Sequence, residues 1–132
     1  MNFVSIRIIT DDIKRLVDFY ARVTRNEPAW LGEDFAEIAT ISCTLAIGST
    51  RTLQMFEAGD TRPGANRSAI IEFLVDDVDA EYARLQPFLK EVVQEPKTLP
   101  WGNRSLLFRD PDGALVNLFT PVSADAMRKF GR

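Results

Sequence analysis

Between positions 3 and 9 apolar and polar residues alternate. Val4, Ile6 and Ile8 are separated by Ser5 and Arg7, and this period of two predicts a strand with one buried face. The period changes at Asp11-Asp12, either of which can cap a helix. Ile13, Leu16, Val17, Tyr20 and Val23 then recur at three and four, the stripe of an amphipathic helix lying on a sheet. Asn26-Glu27-Pro28 ends it. Three short strands are expected next: 29–31 running on to 35–40, then 42–47, then 52–56. Gly32-Glu33-Asp34 and Gly48-Ser49-Thr50-Arg51 are the turns between them.

Positions 58–67 lack periodicity, contain two Gly and a Pro, and predict a linker. Beyond them the pattern restarts. Positions 70–75 predict a strand, and Asp76-Asp77 caps a helix with Val78, Tyr82, Leu85 and Leu89 on one face. Pro87 should kink or shorten its end. A strand over 92–98 is interrupted by Pro96. Positions 105–109 and 114–119 then form a hairpin about Asp110-Pro111-Asp112-Gly113, whose Asp, Pro and Gly occupy the places a type I turn favours. Pro100-Trp101-Gly102 is a bend that presents a large ring. A short terminal helix is expected over 124–130.

The two halves repeat. At a shift of 65, Ile6 falls on Ile71, Asp11-Asp12-Ile13 on Asp76-Asp77-Val78, Val17 on Tyr82 and Tyr20 on Leu85. The expected organisation is α+β: a first βαβββ module over 1–57, a linker over 58–67, a second module over 68–120 and a tail over 121–132. One such module cannot cover both faces of its sheet, and pairing two modules solves that problem.

Composition narrows the chemistry. A chain of 132 residues with 45% apolar and 27% charged residues fits one globular domain. No apolar run approaches the roughly 18 residues of a membrane span, and the first residues have no signal-peptide pattern. With 16 basic and 19 acidic residues and no basic cluster, nucleic acid is not an expected partner. The single cysteine, Cys43, excludes an internal disulfide and suits a reducing, cytoplasmic setting. The chain has no histidine, and so lacks the usual general base near neutral pH and the commonest metal ligand. No glycine-rich phosphate loop occurs.

The run Pro100-Trp101-Gly102-Asn103-Arg104-Ser105, followed by Arg109-Asp110-Pro111-Asp112-Gly113 and combined with the repeat, resembles the glyoxalase/bleomycin-resistance/dioxygenase (vicinal oxygen chelate) superfamily, most closely its bleomycin-resistance-type branch. The resemblance covers nearly the whole chain. It implies a curved, open, mixed sheet whose concave face holds a ligand, and a homodimer, since many members pair modules between chains. Metal-dependent relatives take ligands, usually His or Glu, from the first and last strand of each module. Seven residues before Asp12 and Asp77 lie Ser5 and Ile70, and four after Gly113 lies Asn117. For the last strand of the first module the expected place is Gln54, or Glu57 if the register shifts. Ser, Gln, Ile and Asn make no divalent site, so the metal chemistry of the superfamily should be absent and no cofactor is expected.

Aromatic residues are the positive signal, because their faces suit planar or cationic ligands. Trp30 and Trp101 flank turns, and Phe35 lies on a first-module strand; Phe56 is better read as core packing. For Trp101, ligand contact and packing are evenly weighted. Arg104 can hold a carboxylate or phosphate, though a hydrogen bond within its own motif is the simpler reading. Asp110 and Asp112 belong to the turn before any acid–base role. The expected ligand-binding set is therefore Trp30, Phe35, Gln54, Trp101, Arg104 and Asn117, with no catalytic residue.

Three functions fit. The first is a metal-independent protein that sequesters a small molecule, as bleomycin-resistance proteins do. The second is an enzyme with a non-standard or absent metal site, for which Glu37, Glu57 and Glu72 are the strand acids to test. The third is an interaction scaffold without a ligand.

Overall fold

A computed structural model describes residues 1–132. The chain divides into two compact units, Met1–Asn66 and Arg67–Arg132. No helix is long and apolar enough to cross a membrane.

The first unit runs β1 (Ser5–Thr10), α1 (Ile13–Thr24), β2 (Ala29–Trp30), β3 (Phe35–Ala39) and β4 (Thr44–Ser49), followed by a 3-10 helix at Thr50–Met55. Its sheet order is β1-β4-β3-β2, with β1 parallel to β4 and the other pairs antiparallel. Asp12 caps α1 by accepting from the Arg15 amide. The helix buries Leu16, Val17, Phe19, Tyr20 and Val23, and the Phe19 and Tyr20 rings meet edge-on at 5.3 Å. Leu45 and Ile47 of β4 and Ala36 and Ile38 of β3 are buried on the sheet face toward α1.

The second unit repeats the plan: β5 (Ile70–Leu74), α2 (Val78–Leu85), β6 (Val92–Thr98), β7 (Asn103–Arg109), β8 (Leu115–Pro121), then α3 (Ala124–Lys129). Its sheet order is β5-β8-β7-β6, again with one parallel pair, β5 with β8. Asp77 caps α2 through the Ala80 amide. The helix stops at Leu85, two residues before Pro87, so Leu89 falls outside it. In the β7–β8 hairpin the Gly113 amide donates to the Asp110 carbonyl, and Asp110 Oδ1 accepts from the amides of Asp112 and Ala114. The Asp110 carboxylate thus serves the turn, as expected, whereas Asp112 joins it through its backbone amide. The edge strand β6 pairs irregularly around Pro96, which cannot donate to the ladder.

Both units are βαβββ modules of an α+β fold, but one strand was expected in the wrong place. The stretch 52–56 is helical rather than extended. Ser49 Oγ accepts from the Arg51 amide and Thr52 Oγ1 donates to the Ser49 carbonyl, which turns the chain out of the sheet. β4 already has β1 and β3 on its two sides, so no pairing position beside it is left. The third strand is gained earlier, where Gly32 at φ +79° turns the chain between β2 and β3.

Candidate functional site

Each sheet has a helix face and an opposite, far face, and strand register assigns residues to them row by row. In the second unit Glu72, Asn117 and Leu107 share one far-face row, and Leu74, Phe119 and Ser105 share the next. Asn117 is 8% exposed and donates from Nδ2 to Glu72 Oε2 at 2.8 Å. A carboxylate only accepts, so this bond fixes the amide orientation and turns Oδ1 away from Glu72. Oδ1 is buried and has no partner. Ser105 Oγ, in a residue only 1% exposed, and Asn103 Oδ1 are likewise buried without a partner. Because strand residues two apart share a face, Asn103, Ser105 and Asn117 all project from the far side. Such unsatisfied groups cost on the order of 1–3 kcal/mol each unless something fills their hydrogen bonds.

In the first unit the equivalent rows are Arg7, Ala46 and Glu37, then Ile9, Gly48 and Phe35. The Arg7 guanidinium carbon lies 4.6 Å from the Phe35 ring centroid and 5.2 Å from that of Phe56. Phe56 reaches this place because it follows the 3-10 helix, its amide bonded to the Leu53 carbonyl. It is 57% exposed, so the core-packing expectation for it is corrected: the turn that removed a strand also lifted this ring to the surface.

The expected ligand set separates. Phe35 and Asn117 lie on the far faces of their own sheets. Trp30 pairs with Ala36 and therefore belongs to the helix face, opposite Phe35. Gln54 is exposed on the 3-10 helix and occupies no strand position. The first-unit residue in the register of Asn117 is Ala46, because Arg7 pairs with Ala46 as Glu72 pairs with Asn117. Arg104 pairs with Thr120 on the helix face and binds Asp79 of α2 through Nε at 2.7 Å and Nη2 at 3.0 Å. Those hydrogen bonds, and the guanidinium charge, hold the Asp79 carboxyl below its ordinary range. Arg104 thus clamps helix to sheet. Trp101, 67% exposed at the bend before Gly102, stands free of the ladder.

Arg7, Phe56 and Ser105 were missed. Arg7 carried a signal, a cation between Ile6 and Ile8 on an alternating strand, but its ring partners are distant in sequence.

The donor sets do not fit a divalent metal. Ser5 and Ala46 hold the first-unit positions, and Ile70 and Asn117 those of the second. None supplies imidazole, thiolate or carboxylate. The nearest acid, Glu72, is bound by the Asn117 amide. Within either unit, no group of three or more His, Cys, Asp or Glu comes together to hold a metal ion.

Fold and register together describe a βαβββ repeat protein of the vicinal-oxygen-chelate type. The model of the Glyoxalase/Bleomycin resistance protein/Dioxygenase superfamily matches residues 2–118, and the chain belongs to that superfamily. A glyoxalase/bleomycin resistance protein/dioxygenase family enzyme from Burkholderia phytofirmans is similar in structure, with a TM-score of 0.82, 13% identity, and coverage of 92% of this chain and 100% of the other. A glyoxalase/bleomycin resistance protein/dioxygenase from Nocardioides gives 0.75 at 19% identity, covering 94% and 85%. TioX from a Micromonospora species gives 0.71 at 20% identity, covering 92% and 100%. No curated protein matches the chain.

Proposed function

We propose that this protein is a metal-independent small-molecule binder of the sequestering kind, acting by stoichiometric capture as a homodimer. The observation that carries this reading is the Asn117 side chain. A position where metal-dependent relatives place a carboxylate holds an amide whose donor is engaged by Glu72 and whose acceptor is buried and unpartnered. An acceptor held in this way suits a hydrogen-bond donor on a ligand better than a cation coordinated through several charges. Ser105 Oγ on the same face adds a second such group. Trp101, exposed at the bend before Gly102 in the same unit, would supply aromatic contact.

The test is isothermal titration of a panel of planar, cationic and acidic small molecules, metal-free bleomycin among them, with and without EDTA. Saturable binding near one ligand per chain, unchanged by EDTA and weakened at least about ten-fold in Asn117→Leu, is expected. Binding that requires added metal, or no binding by any member of the panel, overturns the proposal. Sedimentation of the free and liganded protein tests the dimer.

A further inference from the structure

We infer that Arg7, Phe35 and Phe56 form a receptor for a carboxylate borne on a planar aromatic body. The inference rests on the small-molecule reading and narrows its ligand class to planar anions.

Three separate segments, β1, β3 and the residue after the 3-10 helix, bring two rings to one guanidinium, at 4.6 and 5.2 Å. Eight other arginines, at positions 15, 51, 62, 84, 104, 109, 128 and 132, each reach a carboxylate. Arg7 reaches none. The acid on its own row, Glu37, lies two strands away with Ala46 between them.

A guanidinium held over aromatic rings by cation–π attraction keeps N–H groups that the rings cannot satisfy. The fork of those groups matches a carboxylate bidentately. The exposed faces of Phe56 and Met55 beside it offer apolar contact for a flat body. A cationic ligand fits poorly, because the rings already face a cation of the chain and a second one would meet its charge.

The experiment titrates the full chain with naphthoate, naphthalene methanol and naphthyl methylammonium. Wild type, Arg7→Gln and Arg7→Lys are compared, with circular dichroism to check folding. Naphthoate is expected to bind at least about ten-fold more tightly than either analogue, to lose that margin in Arg7→Gln, and to keep part of it in Arg7→Lys, which retains charge without the fork. The Arg7 Nε resonance of the wild type should shift on addition of naphthoate, a readout that needs no variant. Equal binding of the three probes, an unchanged Nε resonance, or full affinity in Arg7→Gln overturns the inference. Binding of the ammonium probe alone overturns it and leaves the small-molecule reading standing. Silence of every probe here and in the wider panel removes both.

Discussion

On one backbone plan, the two units differ in charge along one far-face row. Arg7, Ala46 and Glu37 in the first occupy the register of Glu72, Asn117 and Leu107 in the second. The helix faces show no such difference. Ile6, Leu45 and Ile38 correspond to Ile71, Val116 and Phe108, and Ile8, Ile47 and Ala36 to Phe73, Leu118 and Leu106. Sizes are exchanged as well: the first unit combines Tyr20 with Ala36, the second Leu85 with Leu106, and all four are buried. The helix face must remain apolar and filled, so only volume can be traded there. The far face, though partly buried, also carries the charged row, and there the charges differ between the units.

The sharpest way to break this comparison is at the helix positions related by the repeat. Tyr20→Ala should cost about 3–5 kcal/mol and Leu85→Ala about 2–5, read from urea unfolding. Hydrogen exchange should show each loss concentrated in its own unit, in β3 and β4 for Tyr20 and in β7 and β8 for Leu85. Equal loss in both would mean that the units open together.

A smaller effect of opposite sign is expected on the far face. Asn117→Leu makes the second unit resemble the first at this row, replacing a half-satisfied buried amide by an apolar side chain. It should raise stability by up to about 1 kcal/mol in thermal unfolding while weakening ligand binding. Lower stability would show that the amide is filled by water and belongs to the folded framework.

The smallest effect concerns the Asp79–Arg104 clamp. Because the carboxyl of Asp79 titrates lower in the folded chain than when unfolded, the native state binds fewer protons between the two values. Its stabilisation is complete above the unfolded value, near 3.8, and is lost as pH falls through the folded one. Asp79 is half exposed, so Asp79→Asn should cost only about 0.5 kcal/mol at neutral pH. The difference from wild type in urea midpoint should vanish in acid. A difference that persists there would assign the loss to packing.

What was legible in the sequence was local. The Asp pairs that hold the caps Asp12 and Asp77, the helix stripes and the Asp110 turn are each set within a few residues, and all were readable to within one position. Asn117 was also placed correctly, because a fixed count from Gly113 follows the hairpin. Gln54 was not. Gly48-Ser49-Thr50-Arg51 has the composition of a turn between strands, and only the distant pairing of β1 with β4 shows that the last strand has already passed. The face that carries Trp30 was not readable, because β2 has two residues, too few for alternation to reveal its phase. The Arg7 cluster joins three segments and had no local mark beyond one cation.

In each unit the opening strand lies beside the closing one, with partners about 40 positions apart in the chain. No sheet can therefore be completed on the ribosome until nearly the whole of its unit has emerged. The loops to be closed differ so little in length that their entropic costs differ by only about 0.1 kcal/mol, and neither unit has a topological head start. Order of synthesis decides instead: residues 1–49 emerge first and can close their sheet before β6, β7 and β8 emerge.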